Sequence, residues 1–125
     1  MDRREFKFTQ EHVWLCPESG KIGVTDYAQS QLGEIVFVDL SPIGSNIKPG
    51  DKLSEIESSK AVSTILSPVS GKIVEINQTV IESPQLVNQE PYDNGWLVRL
   101  EFANSAELDQ LMSGDSYEKF IASLM

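Results

Sequence analysis

The sequence contains few of the residues that build disulfides, metal clusters and many catalytic centres. It has one cysteine, Cys16, and one histidine, His12. A single cysteine excludes an intramolecular disulfide and a cluster of thiolate metal ligands. There is also no run of about eighteen consecutive apolar residues and no apolar stretch of signal-peptide length near the amino terminus. We therefore expect a bacterial-type chain that does not contact a membrane and acts in the cytoplasm.

Basic residues are also scarce. Ten Lys and Arg stand against nineteen Asp and Glu, which gives a formal net charge of −9. This charge would repel a phosphate backbone and an anionic membrane surface, so nucleic acid is not an expected partner. A length of 125 residues with 40% hydrophobic side chains fits a single domain that can bury its own core. We expect one domain over residues 1–125, acting as a monomer.

Motifs of catalytic centres are missing from the sequence. It contains no Walker-type glycine loop, nucleophile elbow, pair of histidines at metal spacing or dinucleotide fingerprint. His12 and Cys16 could form a thiol–imidazole pair, but in an extended HVWLC segment they would lie roughly 13 Å apart, beyond hydrogen-bond reach. We therefore interpret His12 as a half-buried strand residue and Cys16 as a small apolar one, and we expect no enzymatic activity.

The middle of the chain predicts β-structure. Short segments rich in β-branched residues predict strands over 34–40 (EIVFVDL), 72–80 (KIVEINQTV) and 95–102 (GWLVRLEF). One early helix is predicted over 26–32, where Thr25 or Asp26 can cap the first turn and Gly33 can end the last. Together these segments predict a largely β core over residues 6–102.

The carboxyl-terminal region 104–124 predicts helices. Asn104 followed by Glu107, and Asp115 followed by Glu118, place a hydrogen-bond acceptor at a helix start with Glu three residues later. The second predicted helix carries an apolar stripe, which we expect to pack against the sheet, although such a stripe could also bind a partner: Tyr117, Phe120, Ile121 and Leu124.

Lys60 lies in an unusual setting in the segment ESSKAVST, residues 57–64. The apolar residues on either side of this segment favour two strands joined by a tight turn, with Lys60 near its tip. The small side chains of Ser58, Ser59 and Ala61 leave the amine unobstructed, and Glu57 supplies a charge three residues earlier. An exposed lysine at a turn usually serves solubility alone, but an acceptor lysine for a prosthetic group also needs such exposure on rigid strands.

Several segments, taken in order, resemble the glycine cleavage H-protein family nearly end to end. They are FTQEHVW, GVTDYAQSQLGEIVFVDL, ESSKAVSTILSPVSGKIVEIN, NQEPYDNGW and the helical tail. The resemblance implies a mainly β fold, a barrel-sandwich hybrid of the lipoyl/biotinyl type with two antiparallel sheets. It implies lipoate in amide linkage to Lys60, with Glu57, Ser58 and Ala61 recognised during lipoylation. A biotin carrier would have Met on both sides of the lysine, where this chain has Ser59 and Ala61.

The same resemblance implies a function and a set of partners. The arm would carry an aminomethyl group from a pyridoxal-phosphate glycine decarboxylase to a tetrahydrofolate-dependent aminomethyltransferase, and dihydrolipoyl dehydrogenase would reoxidise it. Lipoate would be attached by a lipoate ligase, or by an octanoyltransferase and lipoyl synthase. Two alternatives remain. One is a lipoyl relay or storage protein that donates lipoate to other enzymes, and the other is an unmodified module with the same fold.

The sequence departs from the family pattern at positions where carboxylates could hold the cationic amine of the loaded arm. The family usually has Glu after the histidine of the HEW segment and often Asp four residues after the lysine. Here these residues are Val13 and Thr64, and an apolar side chain cannot offset a buried cation. Neighbouring Glu11 or Asp26 could supply the missing carboxylate. We therefore list five candidate residues for the cleft that receives the arm: Glu11, His12, Val13, Asp26 and Thr64.

Overall fold

Two antiparallel sheets form the framework of the protein. The computed structural model describes residues 5–124; the remaining residues of the predicted domain, 1–4 and 125, lie outside this description. The elements are β1 (Lys7–Phe8), β2 (Val13–Leu15), β3 (Lys21–Val24), α1 (Asp26–Leu32), β4 (Ile35–Leu40), β5 (Asn46–Ile47), β6 (Lys52–Ser58), β7 (Val62–Leu66), β8 (Gly71–Ile76), α2 (Gln78–Glu82), α3 (Leu86–Gln89), β9 (Val98–Phe102), a 3-10 helix (Ser105–Gln110) and α4 (Gly114–Leu124).

The strand order confirms the predicted fold. One sheet has six strands in the order β1-β2-β3-β9-β8-β5, and the other has three in the order β4-β6-β7. Aliphatic side chains from both sheets form the main core, among them Val38 and Ile56 from the small sheet and Ile22, Ile73 and Val98 from the large one. Each such side chain, when fully buried, stabilises the fold by about 1.5 to 3 kcal/mol.

A second, aromatic cluster covers the other face of the large sheet at its β1–β2 end. Along β2 the side chains alternate, so that Val13 and Leu15 join the main core while Trp14 joins the aromatic cluster with Phe6 and Tyr117. The Phe6 and Trp14 rings stack with centroids 4.5 Å apart. Because both faces of this end of the sheet are covered, β2 is buried throughout instead of alternating between apolar and polar residues.

Two predicted strands have different bounds in the structure. The prediction of a strand over 72–80 was wrong beyond Ile76, because β8 ends there and α2 begins at Gln78. The side-chain oxygen of Asn77 accepts a hydrogen bond from the Thr79 N–H, 3.2 Å away, and so caps the helix. Asn and Asp side chains commonly end a strand ladder in this way. The strand predicted over 95–102 begins only at Val98.

The carboxyl-terminal helices form, with one predicted cap present and the other replaced. Asn104 does cap the first turn, which is a 3-10 helix, but Glu107 turns away and accepts hydrogen bonds from the N–H and hydroxyl of Ser70, at 2.8 and 3.0 Å. The prediction of Asp115 as the second cap was wrong, because the Ser113 hydroxyl accepts the bond from the Ser116 N–H at 3.2 Å.

The apolar stripe of α4 packs as predicted over most of its length. Tyr117 is buried in the aromatic cluster, and Phe120 and Ile121 pack against that cluster while partly buried. Leu124 is 49% exposed and lies beyond this contact. The helix therefore closes the outer face of the large sheet near its β1–β2 end.

Candidate functional site

Lys60 lies in a tight hairpin between β6 and β7, as the sequence predicted. Glu57 and Val62 form the last cross-strand pair before the turn. The Ser58 N–H donates to the Ala61 carbonyl at 2.8 Å, which leaves Ser59 and Lys60 as the two loop residues. Loops of two residues are the shortest that join antiparallel strands, so the lysine is presented on a short, hydrogen-bonded support.

The hydroxyl of Ser58 organises this loop from the inside. It accepts hydrogen bonds from the backbone N–H groups of Lys60 and Ala61, each at 3.1 Å, and donates to the Ala61 carbonyl at 3.2 Å. The resemblance predicted that the lipoylating enzyme recognises Ser58. Its contacts give it a local structural task, whereas the side chains of Glu57 and Ala61 are exposed beside the lysine.

The residues that follow α1, Gly33 and Glu34, contact the hairpin. The Ser59 N–H donates to the Glu34 carbonyl at 3.1 Å, and the stem of Lys60 crosses Gly33, where an added Cβ would lie 3.4 Å from Lys60 Cε. Gly33 ends α1 with a φ of +83°, a conformation that other residues adopt only at a cost. The predicted role of Gly33 as a helix terminator is thus confirmed, and the stem of Lys60 lies beside it.

Asn88 fixes the segment on which the hairpin rests. Its side-chain oxygen accepts a hydrogen bond from the Ile35 N–H at 2.8 Å. Its amide nitrogen donates to the Gly33 carbonyl at 2.8 Å and to Gln29 Oε1 at 2.9 Å. One side chain therefore joins the last turn of α1 to the start of β4, on both sides of the Glu34 carbonyl that holds Ser59.

The amino-terminal end of α1 contacts Tyr92, four residues after Asn88. The hydroxyl of Tyr92 accepts a hydrogen bond from the Asp26 N–H at 3.1 Å, and the side chain of Thr25 caps the helix by accepting from the Ala28 N–H at 3.2 Å, which confirms Thr25 as the cap. Both Asn88 and Tyr92 belong to the segment NQEPYDNGW. Sequence reasoning used this segment only as part of a resemblance and missed its role as the support of α1.

His12 lies in a turn before β2, so its interpretation as a strand residue was wrong. Its φ is +66°, and its ring is half-buried, with Nδ1 2.8 Å from the Tyr117 hydroxyl. That hydroxyl is also 2.7 Å from Thr25 Oγ1, so the three side chains connect α4 to the capped start of α1. Cys16 is buried in the aromatic cluster, as a small apolar residue was expected to be.

Burial shifts the pKa values of both ring groups in this connection. Desolvation lowers the pKa of His12, and the nearby Glu11 carboxylate opposes that shift. Burial also raises the pKa of Tyr117 to about 12, although its hydrogen bond to Thr25 acts in the opposite direction. At neutral pH both groups are therefore uncharged, and the hydroxyl of Tyr117 keeps its proton.

The structure brings together only some of the residues predicted for the arm cleft. The Thr25 N–H donates a hydrogen bond to the His12 carbonyl at 3.0 Å. Glu11 precedes His12 and Asp26 follows Thr25, so this bond brings the two acidic residues near each other. Both side chains are exposed. Val13 points away into the main core and is 3% exposed. Thr64 lies elsewhere, on β7 opposite Glu55.

Two other kinds of site are absent from residues 5–124. No helix in that range is long and apolar enough to cross a membrane. No group of three or more His, Cys, Asp and Glu side chains among these residues is arranged to hold a metal ion.

Comparison with known proteins agrees with this architecture. The sequence model of the glycine cleavage H-protein family matches residues 6–124. The glycine cleavage system H protein of Carboxydothermus hydrogenoformans is 48% identical over 120 residues, which cover 94% of this chain and 92% of that protein. The protein of the same name from Listeria monocytogenes is 43% identical over 120 residues, with 94% and 96% covered.

A solved structure shows the same likeness. The crystal structure of a glycine cleavage system H protein from Mycobacterium marinum superimposes with a TM-score of 0.84 at 28% identity, covering 95% of this chain and 98% of that one. The chain therefore belongs to the glycine cleavage H-protein family.

Proposed function

We propose that this protein carries lipoate in amide linkage to Lys60 and shuttles an aminomethyl group between the decarboxylase and the aminomethyltransferase of glycine cleavage. The observation that supports this most directly is the placement of Lys60 in a two-residue loop, with an exposed side chain and a stem that crosses a glycine. Family membership supports the role of carrier. No group on the chain has to perform catalysis, because the reactions occur on partner enzymes.

The residues around Lys60 fit the attachment of an acyl group. A primary amine at the tip of a short hairpin can enter the active site of another enzyme without rearrangement of the strands. There the amine attacks the carbonyl of an activated lipoyl group, such as a lipoyl adenylate; an amide bond forms, AMP leaves, and the amine loses a proton. The neighbouring side chains of Ser59 and Ala61 are small, so neither blocks this approach.

Bound lipoate would supply a dithiolane that accepts the aminomethyl group at one sulfur. A lysine extended by lipoate reaches roughly 15 Å from the backbone. Helix α1, with seven residues from Asp26 to Leu32, spans about 10 Å at 1.5 Å per residue. The turn at His12 and the first residue of α1 are therefore within reach, and their exposed carboxylates, Glu11 and Asp26, would be the groups available to a cationic amine.

The partners proposed for this cycle are those of the family. They are the pyridoxal-phosphate glycine decarboxylase, the tetrahydrofolate-dependent aminomethyltransferase and dihydrolipoyl dehydrogenase. A lipoate ligase, or an octanoyltransferase with lipoyl synthase, would install the arm. The single-domain organisation, the monomeric state and the cytoplasmic location stay predictions of the sequence.

One observation favours a second candidate function, a lipoyl relay that donates lipoate to other enzymes without aminomethyl transport. The two positions where the family usually has carboxylates, Val13 and Thr64, are here a core residue and a residue of the small sheet. A relay has no cationic adduct to stabilise and needs no carboxylate at either position. The aminomethyl carrier depends on Glu11 and Asp26 instead.

Intact mass spectrometry tests these functions. Incubation with a lipoate ligase, lipoate and ATP should add one lipoyl group to the wild-type protein and none to Lys60→Arg, while Lys52→Arg, an exposed control on β6, should be modified normally. Modification of Lys60→Arg to the same extent would refute the assignment.

A second stage separates the carrier from the relay. The lipoylated protein is incubated with glycine and a pyridoxal-phosphate glycine decarboxylase, and an aminomethyl adduct should appear as a further gain in mass. Absence of that gain, together with transfer of lipoate to another lipoyl domain, would establish the relay instead.

A further inference from the structure

The outer face of the small sheet is unusual for a surface exposed to water. The strand register aligns Phe37, Glu57 and Val62 in one row across β4, β6 and β7. Phe37 is 52% exposed and Val62 is 59% exposed. Two large apolar side chains thus flank Glu57, which belongs to the last strand pair before the Lys60 turn. We call the outward-facing residues of this row and the next the docking face: Phe37, Asp39, Glu55, Glu57, Val62 and Thr64.

The second row of the docking face adds an unfavourable charge pair. Asp39 lies directly opposite Glu55, which in turn lies opposite Thr64. Like charges at directly opposed positions of neighbouring strands destabilise a sheet. Within residues 5–124 neither carboxylate forms an ion pair, and Lys52, also on β6, is paired with Leu66 at the far end of that strand. A partner with basic side chains would relieve this repulsion.

We propose that the docking face binds the enzyme that acylates Lys60, through an apolar contact at Phe37 and Val62 bordered by Lys or Arg side chains on that enzyme. The inference rests on the proposed lipoylation of Lys60. It extends recognition from Glu57, Ser58 and Ala61, beside the lysine, to a surface two rows deep. The main parts of that surface are an aromatic side chain and a like-charge pair.

The length of the lysine side chain selects this partner among those of the cycle. A bare lysine extends its amine only about 6 Å from the backbone by ordinary bond lengths. The acylating enzyme must therefore cover the strands next to the hairpin, and the docking face begins at the last pair before the turn. Enzymes that act on the tip of the completed arm work at up to roughly 15 Å from the backbone, so they can leave these strands uncovered.

The test is the kinetics of lipoylation of the purified apoprotein by a lipoate ligase with lipoate and ATP. Phe37→Ser should lower kcat/KM for the protein substrate by about tenfold or more, mainly through a higher KM, as truncation of a central aromatic contact does in other interfaces. Ile43→Ser is the matched control, because Ile43 is 60% exposed but lies in the loop after β4, outside the docking face. It should stay within about twofold of wild type.

The like-charge pair allows a second test in which folding and binding move in opposite directions. Asp39→Asn and Glu55→Gln should each unfold at the same or a higher temperature than wild type, because they remove repulsion, yet each should be lipoylated more slowly. Their rates should also depend less on salt concentration than that of the wild type. Glu101→Gln, an exposed acid of β9 in the large sheet, serves as the charge control.

The lipoylation rates of these variants and controls test the proposed docking face. If wild-type protein is lipoylated at Lys60 while Phe37→Ser, Asp39→Asn and Glu55→Gln are modified at its rate, the docking face does not bind this enzyme and the proposed function stands. If the controls slow as much as the test variants, the effect is not confined to this face and the inference is overturned. If wild-type protein is not lipoylated, the proposed function and the inference fall together.

Discussion

Replacement of Asn88 should reveal how strongly the support beneath Lys60 depends on one side chain. Asn88→Ala removes the acceptor of the Ile35 N–H and the donor to the Gly33 carbonyl and Gln29. Ile35 is only 2% exposed, so its N–H would be left without a partner at a cost of about 1 to 3 kcal/mol. Each lost hydrogen bond from the amide adds about 0.5 to 1.5 kcal/mol. After a discount for solvent access at Gln29, we expect a total loss of about 2 to 4 kcal/mol.

Urea unfolding followed by tryptophan fluorescence measures this loss as a shift of the midpoint at an unchanged m-value. Asn94→Ala is the control, because Asn94 is exposed. Within residues 5–124 its side-chain nitrogen donates to Glu90, and its backbone carbonyl accepts from Asn77. The control should stay within about 0.5 kcal/mol of wild type.

Asn88→Asp has nearly the same shape and separates the acceptor from the donor. Its carboxylate can still accept from Ile35 but would face the Gly33 carbonyl oxygen, so the pKa of the new carboxyl group should be raised. Its stability deficit relative to wild type should therefore shrink as the pH falls and the group becomes protonated. A loss below about 0.5 kcal/mol in Asn88→Ala, or an equal loss in Asn94→Ala, would refute this account of the hairpin support.

Three further outcomes are expected. Val13→Glu should lower the free energy of unfolding by about 3 to 5 kcal/mol at neutral pH, since it leaves an uncompensated charge in the core. Thr64→Asp, at an exposed position, should lower it by less than about 1 kcal/mol. A loss below about 1 kcal/mol in Val13→Glu would show that the new carboxylate reaches solvent or the arm cleft. The lowered pKa of His12 means that the unfolded chain binds more protons than the folded protein as the pH drops below about 6.5. The free energy of unfolding should therefore fall with pH in this range, and His12→Gln should reduce that dependence. An equal pH dependence in both proteins, measured by urea unfolding, would contradict this. Glu57→Gln should slow lipoylation without a change in melting temperature, and an equal loss of thermal stability would instead assign Glu57 to the fold.

Local signals in the sequence determined the elements whose formation depends on neighbours in the chain. Thr25 caps the start of α1 and Gly33 ends it, as predicted, because helix capping and a positive φ depend only on adjacent residues. The hairpin that presents Lys60 was predictable for the same reason, since small residues between two apolar strand segments specify a short turn. The assignment of lipoate to Lys60 follows from the order of the family segments and stays a prediction.

Tertiary structure decided what depends on residues distant in the chain. Asn77 could end β8 because its amide also donates to the carbonyls of Asn94 and Trp96, at 2.8 and 2.7 Å, and a strand pattern carries no sign of such partners. His12 bonds Tyr117, which lies 105 residues away, so its turn conformation could not be read from HVWLC. The role of Asn88 beneath the hairpin was invisible for the same physical reason. Hydrogen bonds between distant segments are specified by the packing of the whole chain, whereas caps and tight turns are specified by the residues beside them.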